Sequence, residues 1–229
     1  MAVALAQAGA SVAICSRHLD ESGDAIAEIS SCGGRAAAFE ADVTLADSVH
    51  DLIRVVTDGF GAVDILVNNA GSNVRKATAD VTAEDWAGVL NTSVTGSFLC
   101  SQAALPGMIE RGWGRIVMLG SIMSFVAIPG RAAYASAKAA LLGLTRALAL
   151  EGAPHGVTVN CLCPGPFETP MNRPLMDDPD AYRAFLQKIP VGRWGQPSEL
   201  GPAIVFLCSP ASAYMTGQAL TIDGGWTAA

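Results

Sequence analysis

The amino-acid sequence predicts a single-domain α/β fold built on a doubly wound parallel sheet. Two observations lead to this prediction: short apolar runs typical of buried strands alternate with longer stretches of helical periodicity, and most loops after the apolar runs carry Gly, Asn or hydroxyl residues. The chain has 229 residues, of which 51% are hydrophobic and 15% are charged. This length suits one domain over residues 1–229, and this composition can bury a large core.

Each predicted element follows from a local pattern. Apolar runs with strand character occupy Val12 to Cys15, Ala36 to Phe39, Ile65 to Val67, Ile116 to Leu119, Val157 to Leu162 and Ala219 to Ile222. Helical patterns occupy Ala2 to Ala8, Glu21 to Cys32, Leu45 to Phe60, Ala83 to Arg111, Arg131 to Glu151 and Ser198 to Leu207. Because a helix between two parallel strands makes a right-handed crossover, we expect helices on both faces of the sheet.

Charge and composition exclude several classes of function. The net charge is −7 and no block of Lys or Arg occurs, so we expect neither nucleic acid nor an anionic membrane surface as a partner. The apolar opening segment 1–16 lacks the basic start of a signal peptide, and segment 116–130 is too short to span a bilayer. Six scattered cysteines and three dispersed histidines suit reduced thiols in a cytoplasmic protein with no metal site.

The loops that follow the predicted strands are candidates for a ligand site, because ligands of such sheets bind beyond the carboxyl ends of the strands. These loops are Ser16-Arg17, Asp42-Val43-Thr44, Asn68-Asn69-Ala70-Gly71, Gly120-Ser121 and Cys163-Pro164-Gly165-Pro166. Any one of them alone is explained as an ordinary turn. Five on one predicted edge favour a shared crevice for a small molecule.

The strongest candidate for catalysis is Tyr134-x-x-x-Lys138, with Ser121 thirteen residues before the tyrosine. Residues four apart lie on one face of a helix, so the Lys138 ammonium can lie beside the Tyr134 phenol. A positive charge there favours the phenolate and allows proton exchange near neutral pH. Ser121 can then donate a hydrogen bond to a substrate oxygen where charge develops.

The motifs resemble those of the short-chain dehydrogenase/reductase family over almost the whole chain. The matching residues, in family order and spacing, are Asn68-Asn69-Ala70-Gly71, Asn91, Gly120-Ser121, Tyr134-Ala135-Ser136-Ala137-Lys138, Pro164-Gly165 and Asp223-Gly224-Gly225. The resemblance implies a Rossmann-like fold and hydride transfer between a nicotinamide cofactor and an alcohol or carbonyl group. It also implies a role for each catalytic position.

By this resemblance, Tyr134 is the general acid/base, and Lys138 lowers the pKa of Tyr134 while holding the nicotinamide ribose. Ser121 orients and polarises the reacting oxygen. Asn91 holds a water molecule that connects Lys138 to solvent as a proton relay. The side chain of Asn91 is also explained as a helix cap or kink, but the matched spacing favours the relay.

The resemblance also implies a set of cofactor contacts. They are Asp42 and Val43 at the adenine, Asn69, Ala70 and Gly71 at the adenosine ribose, Pro164, Gly165 and Thr169 at the nicotinamide and phosphates, and Tyr134 and Lys138 at the nicotinamide ribose. The chain carries Arg17 where an acidic residue would bond the ribose hydroxyls of NAD. Since an arginine can pair with the 2′-phosphate of NADP, NADP(H) is favoured and NAD(H) is the alternative.

The start of the chain departs from the family pattern. The family opens with a strand and a Thr-Gly-x-x-x-Gly-x-Gly turn that places the pyrophosphate at the amino end of the first helix. Neither precedes the helical pattern at Ala2. We expect either a natural protein that begins further upstream or a chain without the central strand of its sheet. In the second case we expect unpaired neighbouring strands and weak or no dinucleotide binding.

Segment 164–197 is the expected substrate loop or lid. Its motifs at 168–173 and 190–195 resemble the branch of the family that acts on sugar acids, which includes gluconate 5-dehydrogenase and 2-dehydro-3-deoxygluconate dehydrogenase. A sugar acid needs a cationic partner for its carboxylate, and Arg75 and Arg173 are the candidates, although each is equally explained as a solvated loop residue. The full set of candidate substrate contacts is Asn73, Arg75, Met123, Phe167 and Arg173.

Two other functions stay open. A 3-oxoacyl-thioester reductase would share the same catalytic residues, but its acidic carrier protein favours a basic patch, and Arg111, Arg115 and Arg131 are dispersed in the sequence. A non-catalytic dehydrogenase-like subunit is favoured by the missing glycine turn and opposed by the intact catalytic set. By resemblance we expect a homotetramer assembled through the two long helices and the carboxyl-terminal segment.

Overall fold

The computed structural model describes residues 1–228 and contains, within them, six strands that pair in parallel. They are β1 (Val12–Ser16), β2 (Ala36–Glu40), β3 (Ile65–Asn68), β4 (Gly114–Leu119), β5 (Val157–Pro164) and β6 (Ala219–Ile222). Every strand that the sequence predicts is confirmed, and the predicted ends differ from the observed ends by at most two residues. The apolar runs were therefore a sound guide to the strands.

The helices match the predicted periodicity except in two regions: the helix predicted over Ala83 to Arg111 is interrupted at 91–95, and the two helices over 173–186 were not predicted. They are α1 (Ala2–Gln7), α2 (Gly23–Ser31), α3 (Ala46–Phe60), α4 (Ala83–Leu90), α5 (Gly96–Arg111), α6 (Ala132–Gly152), α7 (Arg173–Met176), α8 (Pro179–Leu186) and α9 (Gly201–Cys208). A π-helical segment, Asn91–Thr95, joins α4 to α5. The sequence did not predict α8, although Asp178 caps it through the backbone amides of Asp180 and Ala181 and Pro179 occupies its first turn.

The strands form two separate hydrogen-bonded sheets rather than one. The first has the order β1-β2 and the second has the order β3-β4-β5-β6. In the second sheet β4 and β5 pair along their length, with Gly114 opposite Val157 and Leu119 opposite Leu162. This register brings the loop after β4 and the loop after β5 to the same edge, which is the edge where the sequence predicted a crevice.

Helices cover both faces of the four-stranded sheet, as the sequence predicted. Ile116 and Met118 of β4 belong to a core layer shared with α5 and α6, whereas Val117 belongs to a layer shared with α1 and α9. Successive side chains of a strand point to opposite faces, so one strand serves both layers. The catalytic candidates on α6 therefore rest on a packed core.

The described residues contain no helix with both the length and the apolar composition needed to cross a membrane. Residues 1–228 also contain no cluster of three or more His, Cys, Asp or Glu side chains that could hold a metal ion. All six cysteines are free thiols, and Cys100, Cys161, Cys163 and Cys208 are buried.

Candidate active site

Ser121, Tyr134 and Lys138 meet where β4 ends and α6 begins. Lys138 donates from Nζ to the carbonyl oxygen of Leu119, the last residue of β4, at 2.5 Å. The same Nζ lies 5.5 Å from the centre of the Tyr134 ring. Ser121 accepts a hydrogen bond from the Met123 amide at 3.1 Å, which holds its hydroxyl oxygen in place and leaves its O–H free to donate. The structure thus brings three of the four predicted catalytic residues together.

Ser124 holds this arrangement in place, and the sequence analysis had no role for it. Its hydroxyl donates to the carbonyl oxygen of Lys138 at 2.8 Å and accepts from the Ser121 amide at 3.3 Å. One side chain therefore links the strand end that carries Ser121 to the helix that carries Lys138. Gly120 allows this approach, since a Cβ there would lie 2.6 Å from Cys161 Sγ and 2.8 Å from Cys163 Sγ.

Burial raises the pKa of the Tyr134 phenol above its ordinary value. The Ser121 hydroxyl, Arg131 and Arg75 each oppose this rise. The positive charges of Arg131 and Arg75 thus act on the Tyr134 phenol in the same direction that was predicted for Lys138. Positive charge therefore lies on the pocket side of the Tyr134 phenol, from the two arginines, as well as on α6, from Lys138.

Lys138 is 4% exposed, and this burial lowers the pKa of its ammonium to about 8. Cys161 and Cys163 of β5 lie on the same side and counteract part of that fall. Their sulfur atoms are 3.6 Å apart, and the hydrogen bond between them raises the pKa of Cys161 and lowers that of Cys163. The ammonium of Lys138 therefore loses its proton more readily than that of an exposed lysine.

Asn91, the fourth predicted catalytic residue, does not join the group. Its side chain belongs to an exposed residue, and its Oδ1 accepts a hydrogen bond from Thr95 at 3.4 Å. Ser93, two residues later, is fully buried and lies near Lys138. Residues two apart face nearly opposite sides of a helix, so only one of the two can face α6. The role predicted for Asn91 therefore stays a prediction, with its side chain on the exposed side of the helical run.

A pocket opens beside Ser121 and Tyr134. Its polar lining comes from Asn73, Ser121, Arg131, Tyr134 and Asn172, and Met123 contributes apolar surface. Arg75 lies behind this lining and donates from Nη2 to the Met171 carbonyl oxygen at 2.7 Å and to Asn172 Oδ1 at 3.3 Å. The predicted contacts Asn73 and Met123 are thus in the pocket, and Arg75 ties the pocket to the predicted lid.

Among the pocket residues that were not predicted from the sequence, Arg131 is the charged one. It is 8% exposed, and burial together with the charge of Arg75 lowers its pKa to about 10. Arg131 forms no ion pair among residues 1–228, where the paired arginines are Arg54, Arg111, Arg183 and Arg193. No periodic signal distinguishes Arg131 in the sequence, because its direction depends on where α6 begins.

Two predicted substrate contacts lie elsewhere. Arg173 is exposed and does not line the pocket. Phe167 is 5% exposed and packs in the core layer of α9, where a Cβ on Gly195 would lie 2.6 Å from its ring. Phe167 is therefore a core residue that supports segment 164–197, and the neighbouring Asn172 takes the place in the pocket predicted for Arg173.

The predicted cofactor contacts follow the carboxyl edge of both sheets. Arg17 is exposed after β1, and Asn69 and Ala70 are exposed after β3. Asp42 accepts hydrogen bonds from the Thr44 amide at 2.8 Å and hydroxyl at 2.7 Å, which lower the pKa of its carboxyl group. Val43 packs against Gly96, where a Cβ would lie 2.8 Å from its side chain.

Two glycines near the predicted nicotinamide position are required for different reasons. A Cβ on Gly71 would lie 3.5 Å from Lys138 Nζ, so Gly71 keeps the approach to the ammonium open. A Cβ on Gly165 would lie 2.6 Å from the Cα of Asp223, so this chain itself requires that glycine. Pro164 ends β5 opposite Ile222, and Thr169 precedes a short turn at Pro170–Asn172 without lining the pocket.

These residues fit a nicotinamide dinucleotide at its two ends. At the adenosine end, the Arg17 side chain and the residues after β3 are exposed. At the nicotinamide end, the Lys138 ammonium lies beside the ring of Tyr134. A parallel doubly wound sheet with Ser, Tyr and Lys at its carboxyl edge defines the class of dinucleotide-dependent oxidoreductases acting on CH-OH groups.

Comparison with known proteins agrees with this class. The family model described as enoyl-(acyl carrier protein) reductase matches residues 1–227. A 3-oxoacyl-[acyl-carrier-protein] reductase of Synechocystis sp. is 40% identical over 98% of this chain and 90% of the relative. Gluconate 5-dehydrogenase of Gluconobacter oxydans is 37% identical over 99% of this chain and 89% of the relative.

A solved structure leads to the same assignment. Gluconate 5-dehydrogenase of Burkholderia cenocepacia, in complex with NADP and tartrate, superposes with a TM-score of 0.95 at 37% identity, covering 100% of this chain and 89% of that one. The chain belongs to the short-chain dehydrogenase/reductase family, whose members are NAD(P)-dependent dehydrogenases acting on CH-OH groups. The resemblance seen in the sequence is thereby confirmed, but the relatives act on both sugar acids and acyl thioesters.

Proposed function

We propose that the protein is an NADP(H)-dependent oxidoreductase that interconverts a secondary alcohol and a carbonyl group on a small carboxylic acid of the sugar-acid type. Tyr134 gives a proton to the substrate oxygen or takes one from it, and Ser121 donates a hydrogen bond to the same oxygen. Lys138 holds positive charge beside the phenol. The dinucleotide, when bound, supplies or accepts the hydride.

The observation that carries the substrate class is the pair of arginines at the pocket. The positive charge of Arg75 lowers the pKa of Arg131. Both arginines also oppose the rise that burial causes in the pKa of Tyr134. Neither forms an ion pair with a carboxylate among residues 1–228, and Arg75 Nε has no hydrogen-bond partner there. Two partly desolvated cations of like charge are costly unless an anion neutralises them, so a substrate carboxylate fits this position.

Two further features support the sugar-acid assignment. Asn73 Oδ1 is a buried acceptor without a partner in the described chain, and it lines the same pocket, so it fits a substrate hydroxyl. The Burkholderia cenocepacia relative was crystallised with tartrate, a hydroxy acid with two carboxylates. Segment 164–197 then acts as the lid over the acid, because Met171 and Asn172 accept the hydrogen bonds of Arg75.

The cofactor preference rests on Arg17. Its side chain is exposed after β1 and forms no ion pair among residues 1–228, so it is available to a 2′-phosphate. The nearby acidic residue, Glu21, accepts a hydrogen bond from Ser16. The Burkholderia cenocepacia relative carries NADP. These observations favour NADP(H) over NAD(H).

A 3-oxoacyl-thioester reductase is the second candidate. It is supported by the Synechocystis relative, a 3-oxoacyl-[acyl-carrier-protein] reductase that is 40% identical to this chain. The two candidates differ in the charge next to the reacting carbon. A thioester is neutral there and gains nothing from Arg131 and Arg75, whereas a sugar acid brings a carboxylate to them.

Steady-state NADPH oxidation tests the proposal. The substrates are 5-keto-D-gluconate, the neutral ketose D-fructose and acetoacetyl-coenzyme A, assayed with wild type, Arg131→Met and Arg173→Ala. We expect wild type to prefer the keto acid and Arg131→Met to raise KM for the acid about a hundredfold, because a buried charge pair loses one partner. The exposed control Arg173→Ala should leave that KM within about twofold of wild type. A wild type that reduces only the thioester contradicts the proposal.

We also propose that the chain assembles as a homotetramer through α5 and α6. Phe98 of α5 and Leu150 of α6 are 43% and 78% exposed, so both helices offer apolar surface to a partner chain. Light scattering that gives the mass of a single chain contradicts this assembly.

A further inference from the structure

Cys161 and Cys163 form a pair of buried thiols that the proposed reaction does not use. Both belong to β5, and both side chains are fully buried. Residues two apart in a strand point to the same side of the sheet, and the two sulfur atoms lie 3.6 Å apart in hydrogen-bond contact. No other two cysteines among residues 1–228 are in such contact.

The two thiols of this pair differ in character. The hydrogen bond from the Cys161 thiol lowers the pKa of Cys163, and the positive charge of Lys138 acts in the same direction. The same contact raises the pKa of Cys161. Burial raises the pKa of the two separate buried thiols, Cys100 and Cys208, to about 12. Because the thiolate is the reactive form, Cys163 is the nucleophile among the buried cysteines.

The Cys163 sulfur lies directly beneath the pocket beside Tyr134. It is hydrogen-bonded to the backbone of Ser121 and to the side chain of Ser124. Ser121 lines the pocket, so a single loop separates the pocket from the sulfur atom. A molecule little larger than water can reach the thiol when this loop opens locally, whereas a bulky thiol reagent is excluded by the burial.

We propose that Cys161 and Cys163 form a dithiol that a hydroperoxide converts reversibly to a disulfide. With hydrogen peroxide, the Cys163 thiolate attacks one oxygen, the O–O bond breaks, and Cys163 becomes a sulfenic acid while hydroxide leaves and takes up the proton that Cys163 had lost. The Cys161 sulfur then attacks the Cys163 sulfur, which forms the S–S bond and releases water. Two thiols are oxidised, and one peroxide is reduced to two water molecules. This inference goes beyond the proposed function, since neither thiol moves the hydride or the substrate proton.

The geometry of the strand makes this disulfide easy to reduce. Cα atoms two residues apart in a strand are about 6.6 Å apart, close to the upper end of the roughly 4.4–6.8 Å that disulfides span. Formation of the bond therefore strains β5, which is paired on both sides, with β4 and with β6. Strained disulfides are the labile ones, so a dithiol reductant should restore both thiols.

The disulfide acts on the catalytic site through Gly120. A Cβ built there would lie 2.6 Å from Cys161 Sγ and 2.8 Å from Cys163 Sγ, so both sulfur atoms pack tightly against the residue before Ser121. When the sulfur atoms approach each other, Gly120 and Ser121 must shift. A misplacement of about 1 Å can lower a rate about a hundredfold, so we expect the oxidised protein to lose activity.

Mass spectrometry tests the disulfide in the folded chain without substrate or cofactor. The protein is treated with hydrogen peroxide, then unfolded, alkylated at its free thiols and digested with trypsin. Cys161 and Cys163 share one tryptic peptide, and Cys100 and Cys208 fall in two others. We expect the shared peptide to lose two hydrogen atoms and both alkylation sites at least about tenfold faster than the other two lose theirs. Treatment with a dithiol reductant should restore both sites.

Single variants separate the roles of the two thiols. In Cys163→Ala, Cys161 should remain a free thiol at the same dose of peroxide. In Cys161→Ala, Cys163 should stop at the sulfenic acid, which dimedone traps. The matched control Cys100→Ala removes a separate buried thiol and should leave the rate of disulfide formation within about twofold of wild type. The corresponding serine variants serve if an alanine variant does not fold.

A second arm measures activity with any carbonyl substrate that wild type reduces. Peroxide should lower kcat of wild type about tenfold or more, and the dithiol reductant should restore it. Cys163→Ala should keep the activity that it has before treatment. This variant retains Cys15 and Cys32, the two exposed thiols, so it also shows whether their oxidation affects turnover.

Two results overturn the proposal. One is a shared peptide that keeps both alkylation sites while the peptide of Cys100 or Cys208 is oxidised. The other is a Cys163→Ala variant that peroxide inactivates as fast as wild type. If the disulfide forms in a wild type that reduces no carbonyl compound, the proposed function fails and the dithiol stands, so the two failures are distinguishable.

Discussion

The two sheets differ in how deeply the protein buries them. In β4 five of six residues are buried and in β5 seven of eight, whereas no residue of β1 or β2 is buried. The catalytic side chains rest on the deeply buried sheet, and Arg17 and Asp42 follow strands of the shallow one. Substitutions at the deep sheet should therefore alter chemistry or stability, and substitutions at the shallow sheet should alter cofactor affinity with little effect on stability.

The largest effect is expected from Tyr134→Phe at the deep sheet. Without the phenolic hydroxyl no group exchanges the proton with the substrate, so kcat should fall about a thousandfold. The free energy of unfolding should change by less than about 1 kcal/mol, because the ring that packs in the site is retained. Stopped assays and urea unfolding measure the two quantities.

Tyr182→Phe is the matched control for that experiment. Tyr182 belongs to α8 and stacks on Trp194 at 5.9 Å between ring centres, away from the reacting oxygen. Its variant should keep the wild-type kcat. If Tyr134→Phe retains the same turnover as Tyr182→Phe, another residue is the general acid/base.

At the shallow sheet, Arg17→Asp should reverse the cofactor preference. Loss of a charge-assisted hydrogen bond to the 2′-phosphate, together with the new carboxylate, should change the ratio of Kd for NADPH to Kd for NADH about a hundredfold. Fluorescence titration with each dinucleotide measures the ratio. Arg54→Asp, which alters another exposed arginine that pairs with Asp51 and Asp58 of its own helix, should leave the ratio unchanged.

The same contrast explains what the sequence could predict. The strands and Tyr134, Lys138 and Ser121 were predictable, because a buried parallel strand has a local apolar pattern and its carboxyl end defines the crevice. Spacing along α6 placed the lysine beside the tyrosine. These features depend on short stretches of chain.

The features that the sequence did not predict depend on distant parts of the chain. The direction of Arg131 depends on how α6 packs against the loop after β3, and the burial of Ser93 near Lys138 depends on which side of the helical run faces α6. The division into two sheets depends on hydrogen bonds between strands far apart in sequence. No local pattern encodes these relations, so a single sequence leaves them open.

Two glycines with different surroundings give a smaller and directly measurable difference. Gly120→Ala places a methyl group against Cys161 and Cys163 beneath the deep sheet, and we expect it to destabilise the protein by about 1–3 kcal/mol. Gly59 lies in α3, where an added Cβ meets no atom within 4 Å. Gly59→Ala should therefore stabilise the protein by about 0.5–1 kcal/mol. Equal effects in urea unfolding contradict the contrast in packing.

A further effect, which appears only as a dependence of stability on pH, concerns the energetic cost of the catalytic lysine. The folded chain lowers the pKa of Lys138 from 10.5 to about 8, so the unfolded chain binds this proton more tightly. The cost is absent above pH 10.5, grows as the pH falls toward 8 and is fully present at pH 7, where it amounts to at most about 3 kcal/mol. Lys138→Met removes this cost but also loses the hydrogen bond to Leu119.

We therefore expect Lys138→Met to be inactive yet more stable than wild type at pH 7, by about 1–2 kcal/mol. The difference in unfolding free energy between the two proteins should shrink as the pH rises from 8 to 10.5, because wild type regains stability when its lysine loses the proton in both states. Lys188→Met, at an exposed lysine above the Trp226 ring, should show no such pH dependence. A constant difference across this range would mean that folding does not lower the pKa of Lys138, and that burial of this lysine does not reduce the free energy of unfolding.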